Sequence, residues 1–152
     1  MRVNSLYLNQ KQVNQLIFLQ KLSLPADDPV TPSEEPEGEW FLVYENKILI
    51  AFGLITPSRQ WLDTAYLSRC CVHPDNRGLG MQKSLIRRRE RFSRKKGYTW
   101  IITDTSTDNP ASSNSLIRCK YKIIYPSSPW GNENSIYWYG NFSYGSQCQK
   151  LI

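Results

Sequence analysis

Histidine is the scarcest chemically useful residue in this 152-residue chain, which holds only His73. Zinc proteases of the HExxH type, His-rich metal sites and finger modules all need at least two, so no metal centre is expected. A Ser- or Cys-based triad would have to use His73. Cys71 and His73 could share a strand face, but Pro74 follows at once, and an exposed turn histidine is the better reading. Cysteine is sparse as well. Cys70, Cys71, Cys119 and Cys148 show neither C-x-x-C spacing nor the density of a secreted scaffold, so reduced thiols in a cytoplasmic protein are expected. No stretch approaches the roughly 20 apolar residues that cross a bilayer. The opening MRVNSLYLNQ lacks an apolar signal core, so no membrane association is expected.

What is present argues for a folded chain. Hydrophobic residues make up 40% and aromatics 12%, more than disordered sequences carry. The length suits one core and not two, so residues 1–145 are expected to form a single domain, with 146–152 a weakly tied tail. The net charge of +6 is unevenly distributed. Residues 83–96 hold eight Lys and Arg against Glu90 alone, while residues 27–39 hold six Asp and Glu and no base. Such asymmetry bears on partners rather than on fold.

Residues 6–22 show a mostly helical apolar rhythm that Pro25 stops, and 24–38, rich in proline and acid, read as a long loop. Strands are expected at 40–44 and 48–55 around a tight turn, then at 64–72. A helix at 81–96 closes on Gly97, and a strand follows at 98–103. A second helix occupies 109–119 with Pro110 in its first turn, and short aromatic strands lie at 121–125 and 136–142. Antiparallel strands first, then alternating strands and helices, indicate an α/β class. The expected architecture is a mixed, mostly antiparallel sheet of about six or seven strands flanked by helices.

The informative stretch is LSRCCVHPDNRGLGMQ at 67–82. A strand runs into Pro74, and a loop with Gly78 and Gly80 opens directly onto a helix. Glycines let successive N–H groups face one concavity, and the helix start adds unpaired N–H groups and the positive end of its dipole. Together these suit an anion such as a phosphate, with Arg77 adding charge at the mouth. The structural alternative is an ordinary strand-to-helix turn. No G-K-[ST] follows, so this is not a Walker loop. Lys83 stands where a dinucleotide fingerprint needs its third Gly.

Val72, Pro74, Arg77 and Gly80 resemble motif A of the GNAT superfamily, the acetyl-CoA-dependent N-acetyltransferases, in the form V-x-P-x-x-[RQ]-x-x-G. Asn109 and Ser112 match the N-x-x-[SA] that opens the next helix, and Lys120-Tyr121 stands at the family's Gly-aromatic place. The resemblance covers about 40–125 and implies a splayed strand pair that holds the cofactor. It implies that the main chain of Gly78, Leu79, Gly80, Met81 and Gln82 holds the pyrophosphate of acetyl-CoA. Cys71 and Val72 would pair with the pantetheine amides, and Asn109, Ser112 and Asn114 would reach the pantetheine arm. Three positions depart from the pattern. Gln82 replaces a small residue, so the helix start either approaches phosphate less closely or contacts it through its amide. Lys120 replaces Gly, and Leu116 stands where many members carry the Tyr that protonates the departing thiolate.

The implied activity is transfer of an acetyl group to a primary amine by direct attack in a ternary complex. Six carboxylates in a segment that covers the acceptor site in such proteins favour a cationic acceptor: a protein lysine, a polyamine or an aminoglycoside-like small molecule. For the proton, the strand before motif A offers Asp63, with Tyr66 and Ser68 on alternating same-face positions. A water chain ending at Asp63 is expected, and Tyr121 is the nearest hydroxyl in sequence that could serve the thiolate. The basic helix could alternatively dock nucleic acid or protein, in a catalytically weak binding module. Otherwise it is a solvated face with one end near the 3′-phosphate of coenzyme A. The C-terminal aromatics (Trp130, Tyr137, Trp138, Tyr139, Phe142, Tyr144) read as core and sheet face, or else as an acceptor wall. Monomer and homodimer both stay open.

Overall fold

Strand and helix boundaries follow local chemistry closely in the computed structural model, which describes residues 1–142. The expected tail at 146–152, together with Tyr144 and Cys148, lies outside the described residues. Seven strands make one sheet in the order β1-β2-β3-β4-β5-β7-β6. They are β1 (Arg2–Asn4), β2 (Glu39–Glu45), β3 (Ile48–Pro57), β4 (Thr64–Val72), β5 (Trp100–Ser106), β6 (Lys122–Ile124) and β7 (Ser135–Asn141). Every neighbouring pair is antiparallel except β4 with β5. Three α-helices flank the sheet: α1 (Gln10–Ser23), α2 (Met81–Lys96) and α3 (Pro110–Arg118).

The helical rhythm expected over 6–22 divides in two. A short 3-10 turn at Ser5–Tyr7 comes first, and α1 starts only after Asn9. The cause is a capping box, in which Asn9 Oδ1 accepts from the Gln12 N–H and Gln12 Oε1 accepts from the Asn9 N–H. Asn46 and Lys47 both adopt positive φ (49° and 67°), the conformation of a two-residue hairpin turn between β2 and β3. The strand expected at 98–103 lies further along, at Trp100–Ser106, because the N–H groups of Thr99 and Trp100 are held by the Asp63 carbonyl.

Each face of the sheet carries its own core. Leu16 and Leu19 of α1 pack on Trp40, Leu42, Phe52 and Leu54. Leu85 and Ile86 of α2, with Leu116 of α3, pack on Ile55, Leu67, Ile101 and Trp138. Full burial of one such side chain is worth about 1.5–3 kcal/mol. Because β3 is covered on both faces, it reads as a nearly continuous apolar run. Among the described residues no helix is long and apolar enough to cross a membrane, and no cluster of His, Cys, Asp and Glu is arranged to hold a metal ion.

Candidate active site

The parallel pair β4–β5 lasts only three positions, Thr64↔Trp100, Ala65↔Ile101 and Tyr66↔Ile102. Beyond Tyr66, β4 stays with β3 out to Val72, while β5 stays with β7 out to Ser106. The two strands therefore part in a V whose apex is Tyr66 and Ile102. A β-bulge marks the divergence: Ile55 pairs with Leu67 and Leu54 with Arg69, which leaves Ser68 as the extra residue. This corrects the sequence expectation for Ser68. Strict alternation put it on the face of Tyr66, but the bulge interrupts the two-residue period at that position. Past the bulge Cys71 turns into the α1-side core, its Sγ 3.7 Å from the Leu19 carbonyl, and Val72 packs toward α2.

At the open end of β4, Pro74–Asn76 form a 3-10 turn and the chain crosses to α2 through Arg77–Gly80. Gly78 and Gly80 have φ of +77° and +76°, in the left-handed region that side chains resist. Space is not the reason for glycine: a Cβ at either position would meet nothing within 4 Å. The Leu79 side chain is exposed between them. The helical ladder begins with the Ser84 N–H on the Gly80 carbonyl, so the amides of Met81, Gln82 and Lys83 have no acceptor within the helix. These free amides follow directly on the arm of β4 whose β5-facing edge has no ladder partner beyond Tyr66.

The side chains around this loop differ in part from the sequence expectation. Arg77 does not stand free at the mouth; its Nη2 donates to the Ser23 carbonyl, 2.9 Å away, at the end of α1. Gln82 is committed to α3, donating to Ser112 Oγ (2.8 Å) and accepting from Ser115 Oγ (3.1 Å). It therefore clamps two helices together, and its amide is not directed at the phosphate site. Asn109 caps α3 by accepting from the Ser112 N–H, and Asn114 is exposed on the outer turn. Lys120 adopts φ +72°, the conformation that glycine takes more readily, so the local turn survives the substitution.

At the apex stands Tyr66, a residue the sequence points to, with a partner it does not, Asp104. Tyr66 donates through its hydroxyl to Asp104 Oδ1 at 2.6 Å, and Trp130 Nε1 donates to the same oxygen at 2.9 Å. Asp104 lies two residues beyond Ile102 on the open arm of β5. Burial first, and then the adjacent carboxylate, push the Tyr66 phenol far above its usual range, so it remains a donor. Tyr66 and Trp130, the two donors to Asp104, border a cleft of about 210 Å³ with Glu35, Thr56, Arg59 and Ile102 on its wall. Trp61 and Trp130 meet edge to face at 5.4 Å beside it, and Trp130 meets Tyr137 at 4.6 Å.

Two expected catalytic residues are not brought here. Asp63 is exposed at the closed end of the strand pair, with φ +53°, and its carbonyl serves Thr99 and Trp100. Tyr121 is 5% exposed in the α2–α3 core, where its hydroxyl has no hydrogen-bond partner and burial drives its pKa well up. Leu116 is buried beside it in the same core. Of the six acids expected over the acceptor, Glu35 alone reaches the cleft, 3.4 Å from Arg59. Glu39 instead pairs with Arg2 at 3.4 Å.

Half of the eight basic residues at 83–96 are engaged within the molecule. Arg87 meets Glu90 at 2.8 Å, Arg89 is buried, Arg94 covers the Phe142 ring and Lys96 the Phe92 ring. Changing Arg91, Arg94 and Lys95 together to Gln is therefore expected to leave turnover within a few-fold. Tight duplex DNA binding by the wild type, steeply salt-dependent and lost in that variant, would restore the nucleic-acid reading.

Comparison with known proteins bears on the same geometry. The model of the acetyltransferase (GNAT) family matches residues 11–119. The ribosomal-protein-S18-alanine N-acetyltransferase of Escherichia coli has a similar fold, with TM-score 0.72, 15% identity and 97% of each chain covered. An acetyltransferase of Bacillus subtilis, solved in complex with CoA, has TM-score 0.69 at 16% identity, covering 86% of this chain and 93% of its own. An N-acetyltransferase of Staphylococcus aureus has TM-score 0.71 at 16% identity, covering 93% and 97%. No curated protein matches the chain by sequence.

Proposed function

This chain belongs to the acetyltransferase (GNAT) family of acetyl-CoA-using enzymes, and we infer that its acceptor is a primary amine that is cationic in solution. The observation that carries this reading is the Tyr66–Asp104 pair at the apex of the splayed strands, with Tyr66 on the wall of a cleft that Glu35 also lines. Acetyl-CoA supplies the activated acetyl group. The main chain of Gly78 to Gln82 would hold its pyrophosphate, and the open arm at Cys71 and Val72 would pair with pantetheine. That course leads the reactive end toward Tyr66 and Asp104.

An alkylammonium has a pKa near 10, so it must lose a proton before its lone pair can attack. Asp104 is the carboxylate placed to take that proton, directly or through one water. Tyr66 and Trp130 fix its orientation by occupying Oδ1, which leaves Oδ2 for the acceptor. The Trp130 ring, packed edge to face on Trp61, gives the cleft an aromatic wall suited to an ammonium on an apolar stem. Attack within a ternary complex is the simplest course, with the departing thiolate protonated by solvent because Leu116 and Tyr121 cannot serve.

The test is an acceptor screen coupled to release of free thiol. Polyamines, an aminoglycoside and a lysine peptide should exceed amines carried on acidic peptides or nucleotides by about ten-fold or more in kcat/KM. Glu35→Gln should narrow that margin. A preference for the anionic acceptors would overturn the reading.

A further inference from the structure

The basic helix contains one residue that its charge run conceals. Arg89 is 1% exposed, the most deeply buried charged side chain described. Its Nη1 donates to the carbonyls of Leu54 and Arg69, both at 3.0 Å, and its Nε to the Leu85 carbonyl at 3.2 Å. All of these acceptors are main-chain, while the neighbouring Glu90 is taken by Arg87. Leu54 and Arg69 are the two residues paired at the edge of the β-bulge. A bulge leaves backbone groups outside the ladder, and a buried carbonyl without a donor is costly. Gly53 makes room for the guanidinium: a Cβ there would come within 2.9 Å of Arg89 Cζ.

We propose that Arg89 is a positioning residue for the acyl donor, holding the β4 bulge so that the arm at 68–72 stays parted from β5 and open to pantetheine. The Thr103 hydroxyl donates to the Leu67 carbonyl (2.8 Å) just past the last ladder pair, so the divergence is secured from both sides. Without the guanidinium those carbonyls lose their donor, so the bulge loosens and the arm no longer keeps its fixed course away from β5. The donor-binding role rests on the acetyl-CoA reading above; the effect on the bulge does not.

The experiment uses Arg89→Met, which keeps the stem and removes the donors, Arg89→Lys, which restores a charged donor, and Gly53→Ala, which displaces the guanidinium without removing it. Coenzyme A affinity is measured by calorimetry well below each thermal midpoint. Amide hydrogen exchange is followed at 52–55 and 67–72 in the free proteins. Arg89→Met is expected to bind coenzyme A about ten-fold or more weakly, with Arg89→Lys partly rescued, because a loosened arm must be ordered again on binding. Exchange should rise at 52–55 and 67–72 and stay unchanged in the β5–β7 ladder. If Arg89→Met does not fold, Gly53→Ala decides, and wild-type affinity in that variant overturns the proposal. Should the wild type itself fail to bind coenzyme A, the acetyl-CoA reading falls. Exchange then decides on Arg89 alone: unchanged protection at 67–72 in Gly53→Ala overturns the role at the bulge.

Discussion

Gly80→Val is expected to abolish measurable acetyl-CoA binding while leaving the chain folded. At φ +76° a β-branched residue is strained by about 1–3 kcal/mol, which the loop relieves by changing its backbone conformation. Nothing crowds a Cβ there, so the core is untouched and the loss falls on the direction of the amides that follow. Hydrogen bonds from amides to a charged phosphate contribute about 1.5–3 kcal/mol each, and losing two of them lowers affinity by about 100-fold or more. Heat denaturation should fall by only a few degrees, since 1 kcal/mol shifts a domain of this size by about 2–4 °C. Calorimetry that finds wild-type affinity in a folded Gly80→Val variant would remove the loop from the donor site.

The second large effect is on turnover. Asp104→Asn keeps a carbonyl oxygen to accept from Tyr66 and Trp130 but can no longer take a proton. General-base assistance is worth roughly 100- to 10,000-fold, so kcat should fall by about 100-fold or more with little change in the KM for acetyl-CoA. Tyr66→Phe should cost less, because it frees Asp104 to turn without removing the base. Asp63→Asn is the control and should run at the wild-type rate. The rate should rise with pH as the amine loses its proton. Because burial and Asp104 raise the Tyr66 phenol, that hydroxyl stays protonated through the ordinary tyrosine range and adds no falling limb there. Full activity in Asp104→Asn would send the proton elsewhere.

How far the site could be read beforehand depended on how local its causes are. The glycine loop and the helix it opens were legible because Gly78, Gly80 and the apolar spacing of α2 act over a few residues. The splay was implied by resemblance, but its divergence point depends on a bulge that no strand pattern announces. Asp104 is hidden for a simple reason: the β-rich run stops at Thr103, one residue short, and the main-chain bonds that shift the strand come from Asp63. Had the strand been extended, a lone acid on the arm beside Tyr66 would have outranked Asp63. Trp61 lies in a turn, far in sequence from Trp130, and only the fold unites them. Arg89 was the least legible, because a charge run on a helix reads as a wet face. Its inward turn is set by carbonyls from two other elements. The three-residue β1 is too short for any periodicity to mark.

Arg77 has a thermodynamic meaning. Its backbone belongs to the turn that leads to the phosphate loop, while its guanidinium is fastened to the Ser23 carbonyl, where α1 gives way to the acidic segment. Arg69, on the donor strand, likewise donates to the Asp28 carbonyl at 2.9 Å within that segment. Two side chains thus tie the strand and loop proposed to hold the donor to the end of α1 and the acidic segment that follows it. If the glycine loop holds the donor, as proposed, a donor that stiffens it also steadies the acidic segment. Thermodynamic linkage makes the effect mutual: the factor by which the donor tightens the amine is the factor by which the amine tightens the donor. Cutting the tie, as in Arg77→Ala, is expected to shrink the factor by which each ligand tightens the other, read by calorimetry of one in the presence and absence of the other.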